Sequence, residues 1–511
     1  MAAARIPSTA APTLTKRLFG SPVRPLAVVS KSMTERSQIE SYIKSFALEE
    51  CLDEALNKVV EKRPGNPYMA IASFLESKTI AEILDVKIAC CIVGRGLMGV
   101  EARIITNVSS FAANISDMTY ATNTDGDLIK EYAVLQEKAK ECLKGMDPRD
   151  IVNVDEVIAS IPGMDSCVAL AISMACCRAG ARHKGQELYR FLAELAGTSP
   201  SIPVPVVSVL ARATGGSIAT CQIITLTPTT PSFFEGALEA TLKATMCVQN
   251  YIDVNKTVCT VTDCGCPCII SPTLADAVKL VQAAISEGGL EGGLKMGVDV
   301  RASDVSFIED DTLQYRFEIV DGPATQGEDL VEALLALWKE TDLISLEDPV
   351  LTADTSSLQQ MKEKMPAVLA DMQTAGSGAY NIAGVGGESG CGLQIIADSN
   401  ISKPEHIAVL AQQNLVFNTV KLRLRKIGSV SGAMALGRAC EQAQIVVIAG
   451  CDEGAPESTD SFISDLAVAM GIGQFAGGGL SACEYSCKFQ RILEIARDDD
   501  TLPFAGRNFR K

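Results

Sequence analysis

Five side chains in the second half of the sequence stand where a barrel-like protein does its chemistry. Asp299, Glu347 and Asp398 lie at the C-terminal ends of three short apolar runs, Met296 to Val300, Leu343 to Leu346 and Leu393 to Ala397. In a (β/α) barrel those ends carry the working groups. Lys421 and Arg423 lie two residues apart in the run Thr419 to Leu424, so a strand there puts both on one face. A lysine can act as a general base once its pKa is lowered, whereas a guanidinium does not give up its proton.

Other reactive residue types are poorly placed. Cys259, Cys264, Cys266 and Cys268 lie close together, but their spacing lacks the C-x-x-C pairs that let two sulfurs meet one zinc, so they read as small apolar thiols packed near a loop. The chain has 2 His, His183 and His406, and both fit surface positions better than catalytic ones.

Holding acids at strand ends takes alternating strands and helices. Beyond Val86 the pattern runs through a few strands, then helices, then repeated strand and helix segments, with a further strand expected over Ile445 to Ile448. This is an α+β unit followed by an α/β unit, over 86–200 and 201–511. A length of 511 residues suits two or three domains. The formal charge of -17 argues against binding nucleic acid or anionic membrane, because phosphates would be repelled. The 18 Cys read as reduced thiols in cytoplasm, since disulfide frameworks belong to small secreted domains. No run reaches the ~18 to 20 apolar residues that cross a bilayer, which predicts a soluble protein.

Residues 1–37 form a basic arm: Arg5, Lys16, Arg17, Arg24 and Lys31 precede the first acid, Glu35. Four prolines, from Pro7 to Pro25, break any long helix. The arm reads as disordered, the competing reading being an organellar presequence. Residues 38–80 then read as two short helices around the turn Pro64-Gly65-Asn66-Pro67, with apolar positions at Ile39, Tyr42, Leu52, Leu56, Val59, Ile71 and Leu75. A hairpin this small cannot bury its stripe alone, so pairing with a second copy is expected. The run CLDEALNKVVEKRPGNPYMAIASFL resembles the dimerisation/docking domain of protein kinase A regulatory subunits. That resemblance implies a homodimer whose groove takes the amphipathic helix of a scaffold protein.

The remainder resembles enolase. The segments that carry the resemblance are GRGLMGVEARI from Gly94, LKGMDPRD from Leu143, ALAISMACCRAGARHKGQELYRFLAELAG from Ala169, PVPVVSVL from Pro203, GVDVRASDVSF from Gly297, SLEDPV from Ser345, KIGSVSGAMALGRACEQA from Lys426, ESTDSFISDLAVAMGIGQF from Glu457 and FAGRNFR from Phe504. The implied fold is an α+β capping domain plus a (β/α)8-type barrel, preceded by the docking hairpin. The implied activity interconverts 2-phosphoglycerate and phosphoenolpyruvate, with magnesium stabilising an enediolate. Asp299 and Glu347 match two of the family's three metal-binding acids. The third falls on Ala397 in an ungapped alignment and on Asp398 if one residue is gapped.

The sequence departs from the family at most other working positions. Arg423 matches the base lysine, with Lys421 as the fallback. Ile223 and Cys264 replace catalytic glutamates, Ile218 and Glu453 replace histidines, and Ala476 replaces the lysine that grips the substrate carboxylate. The stretch from Asn114 to Asp125, which matches a Gly-rich closing loop, contains no Gly. These losses imply a non-catalytic homologue with at most one Mg2+ site. It is similar to the divergent enolases of cilia and sperm flagella, which implies a dimeric part of an axoneme or cytoskeletal assembly in the cytoplasm. The competing reading is an active phosphopyruvate hydratase.

Overall fold

The computed structural model describes residues 33–116, 128–213, 221–257, 259–262, 265–318, 323–341, 343–374, 392–413, 416–451 and 457–510. The basic arm up to residue 32, Ile218, Cys264, Glu453 and most of the expected closing loop lie outside them. Among the described residues, 33–80 with 182–185 form one compact unit, and the rest form a second.

Over residues 33–80 three helices stand where the sequence suggested two: α1 (Met33–Ser45), α2 (Leu48–Lys62) and α3 (Pro67–Ser77). The extra break comes at Ala47, whose φ of 48° ends α1 and redirects the chain. Asn66 caps α3 by accepting the Met69 N–H at 3.2 Å, and Pro67 follows at the first helical position, where a missing N–H costs nothing. Glu54 on α2 pairs with Lys78 at 3.0 Å. Among the stripe residues, Ile39, Tyr42 and Leu52 are exposed, while Leu56, Val59, Ile71 and Leu75 are half-buried.

The second unit begins with an antiparallel sheet of β1 (Ile83–Ile92), β2 (Met98–Thr106) and β3 (Ser110–Ser116). Four helices follow: α4 (Leu128–Leu143), α5 (Ile151–Ser160), α6 (Ser166–Lys184) and α7 (Leu188–Ala196). In α6 the run from Val168 to Ala175, Ala169 apart, is fully buried, as expected of a helix that is apolar on all sides.

The barrel starts with β4 (Val204–Ala213) and β5 (Cys221–Pro228). The short strand β7 (Pro267–Ile270) pairs with β4 and carries β6 (Cys259–Val261) on its outer side, and β8 (Leu294–Asp299) follows. A small antiparallel sheet of β9 (Ser306–Glu309), β10 (Thr312–Tyr315) and β11 (Thr325–Gln326) interrupts the alternation. Then come β12 (Ser345–Glu347), β13 (Gln394–Ala397), β14 (Thr419–Leu422), β15 (Val446–Gly450) and β16 (Gln474–Ala476). The barrel order is β4-β5-β8-β12-β13-β14-β15-β16, closed by pairing of β16 with β4. β5 runs antiparallel to both its neighbours, so the barrel is not uniformly parallel.

The interior is packed. Gln394 donates to Gln474 across the barrel at 2.7 Å, and a side chain at Gly297 would collide with Ser345 and Thr225. The expected strands appear within two residues of their positions, except that Leu424 opens a short helix, Leu424–Ile427, rather than ending β14. His183 is buried, not at the surface, because it continues the α6 face of buried Ala175 and Ala179, while Arg182 beside it stays exposed. Its counterpart His406 sits at the start of the helix Pro404–Gln412, where its Nδ1 accepts the Ser402 N–H at 3.2 Å.

Candidate functional site at the barrel mouth

Asp299 ends β8 and Glu347 ends β12, and the two are register partners on adjacent parallel strands. Neighbouring strands lie about 4.8 Å apart, so the carboxylates stand side by side. Both are 8% exposed. From β14, Lys421 reaches in and donates to Glu347 Oε1 at 2.9 Å. Lys421 is 2% exposed, so this is a buried ion pair. Burial first, and then the adjacent Glu347 carboxylate, push Asp299 well above the usual carboxylate range, against the pull of Lys421 and Arg301.

Arg423 follows β14 and forms a second ion pair, with Asp398 just beyond β13. Lys426 approaches the same acid at 3.6 Å and donates to the Asp398 and Ser399 carbonyls at 3.3 and 3.2 Å. Asp348, which sequence reading passed over inside SLEDPV, knits the strand ends together. It takes a left-handed φ of 43° and accepts the N–H groups of Asp398 and Ser399 at 3.1 and 3.3 Å. The signal for it was its place between a strand-end acid and Pro349.

The remaining family positions in the described residues are apolar. Ile223 is register partner to Asp299 on β5, Ala397 is fully buried in β13, and Ala476 lines the same small cavity as Lys421. That cavity, bounded by Asp299, Glu347, Lys421 and Ala476 among others, measures about 20 Å³. It has room for about one water. Of the clustered cysteines, Cys266 and Cys268 are buried in the core and Cys259 is exposed.

The donor set does not suit magnesium as it stands. Mg2+ asks for near-octahedral oxygen ligands, but an ammonium occupies Glu347 and a guanidinium occupies Asp398. Among the described residues no three acids, cysteines or histidines converge as a cation site.

A second set of buried charges lies where the α+β domain meets the barrel. Arg178 on α6 grips Asp460 with two bonds of 2.6 and 2.8 Å and also donates to the Ala112 carbonyl at 2.7 Å. Burial alone would raise Asp460; the Arg178 guanidinium and the Phe462 and Asn114 N–H groups hold it below the usual range. Nearby, Lys488 is 1% exposed, donating to the Ser458 carbonyl at 2.7 Å with Glu457 at 3.5 Å. Sequence reading missed all of these, because the partners lie far apart in the chain.

A closed eight-stranded α/β barrel behind an α+β domain, with acids at successive strand ends, defines the class of barrel proteins built around carboxylate chemistry at the mouth. The chain belongs to the enolase family. Residues 199–377 and 381–511 match the enolase C-terminal TIM barrel domain. The chain is 30% identical over 357 residues to an enolase of Eimeria tenella, covering 67% of this chain and 73% of that one. It is 25% identical over 505 residues to cytosolic enolase 3 of Arabidopsis thaliana, covering 92% and 99%. No helix among the described residues is long and apolar enough to cross a membrane.

Proposed function

We propose that this chain is an enolase homologue without hydratase activity that serves as a dimeric structural component of a ciliary or flagellar axoneme, or of a related cytoskeletal assembly. The observation that carries the reading is the Lys421 to Glu347 ion pair inside a cavity of about 20 Å³. The reaction requires a cation and a phosphorylated three-carbon acid at this mouth. Here an internal ammonium holds one acid, a guanidinium holds another, and Arg423 stands in the position of the base. A group that cannot release a proton cannot accept one from substrate.

Placement in an axoneme rests on the resemblance of residues 38–80 to docking domains. It is supported by the exposure of Ile39, Tyr42, Phe46 and Leu52 on α1 and α2. Such a stripe pairs with a second copy and leaves a groove for a scaffold's amphipathic helix.

The opposing reading, an active phosphopyruvate hydratase, draws on one observation: Asp299, Glu347 and an ammonium meet in the barrel. A coupled assay with 2-phosphoglycerate and excess magnesium, run beside Asp299→Ala, separates the two. No turnover above the control is expected. Turnover at ordinary enzyme rates that disappears in Asp299→Ala would overturn the structural reading.

A further inference from the structure

We propose that Lys421 is a built-in counterion that takes the place of a divalent cation at the barrel mouth, so that the protein keeps its fold with no dependence on magnesium. This deepens the non-catalytic reading and rests on it. Three independent features point to the lysine. Its ammonium lies 2.9 Å from Glu347 Oε1, on the acid that ends β12 beside Asp299. At 2% exposure it is buried. And the next strand makes room for it: a Cβ at Gly450 on β15 would collide with the Lys421 Cε and crowd its Cγ and Cδ. Gly450 does not take a left-handed φ, so the space filled by Lys421, rather than its backbone geometry, accounts for the missing side chain.

A divalent cation bound to Glu347 and Asp299 would sit within a few ångström of this ammonium. Like charges at that distance in a poorly solvated site repel strongly. Magnesium could then enter only by expelling a buried side chain. The mouth is electrically closed from within, by Lys421 on Glu347 and by Arg423 with Lys426 on Asp398.

The test uses the purified full-length chain in EDTA and in MgCl2, followed by thermal unfolding and titration calorimetry, with no substrate present. The wild-type protein is expected to show no binding heat and the same Tm in both conditions. Lys421→Met, which keeps the chain length and removes the charge, is expected to melt lower in EDTA and to regain roughly 2 to 4 °C with magnesium, as a newly uncovered cation site would. The double variant Lys421→Met with Glu347→Gln removes both charges and is expected to melt closer to the wild type and to ignore magnesium. A wild-type Tm that rises with magnesium and stops rising in Asp299→Asn would overturn the proposal. So would a folded Lys421→Met variant that ignores the metal. If Lys421→Met does not fold, the wild-type titration alone decides. Magnesium binding without turnover removes this proposal and leaves the structural reading; turnover of 2-phosphoglycerate removes that reading.

Discussion

At the barrel mouth the chain answers its own charges: Glu347 meets Lys421 and Asp398 meets Arg423. On α1 to α3 it leaves its apolar groups unanswered, with Tyr42 and Phe46 each 60% exposed, Met69 59% and Tyr68 83%. Such a display is unusual for side chains that can each bury 150 to 250 Å² or, for Met, fill irregular gaps. A site that is saturated from within has little left to offer a ligand, whereas an amphipathic face with uncovered aromatics gains by meeting a partner. On the proposed reading, binding falls to the helices rather than to the barrel.

The contrast can be broken at its strongest point. Lys421→Met leaves the buried Glu347 without its ion-pair partner and is expected to cost about 3 to 5 kcal/mol in denaturant unfolding at pH 7. A cost near zero would mean that the mouth is open and solvated. Next in size, Leu52→Glu places a charge in the exposed stripe of α2. It should weaken self-association at least about tenfold by analytical ultracentrifugation, roughly 1.4 kcal/mol, while the main unfolding transition stays put. Unchanged association would remove the stripe from the interface.

Smaller effects sharpen the comparison. Asn66→Ala removes the cap of α3 and should reduce the local stability of the helices by about 1 kcal/mol, read as faster amide exchange in α3 alone. The seam supplies a pH test. Asp460 titrates below its unfolded value of 3.8 because Arg178 and two backbone N–H groups hold its charged form against burial. The native state therefore binds fewer protons there than the unfolded chain. The stability from this group is fully present above about pH 4 and is lost as pH falls through the lowered native value. Asp460→Asn should flatten that acid limb in urea titrations between about pH 2 and pH 5 relative to the wild type. Smallest of all, Glu54→Gln, at an exposed pair with Lys78, should leave the denaturant midpoint unchanged.

Much of this was legible in the sequence for a physical reason. Short apolar runs followed by polar residues place Asp299, Glu347 and Asp398 at strand ends, as expected of barrel strands buried on both faces, and the structure has them there. The helical pattern over 38–78 likewise marked an apolar face, but the break at Ala47 escaped notice because no proline or glycine announces it. Spacing also put Lys421 and Arg423 on one face without saying what each would meet. That depends on how far neighbouring strands are staggered around a closed barrel, and on a glycine one strand away that leaves room for a lysine stem. Lys421 and Glu347 are 74 residues apart, and Arg178 and Asp460 are 282 apart. The sequence by itself placed Asp299, Glu347 and Asp398 at the ends of strands. Only the tertiary structure decided that the surviving acids are paired from within, because a charge pair depends on distance in space and the chain records only order.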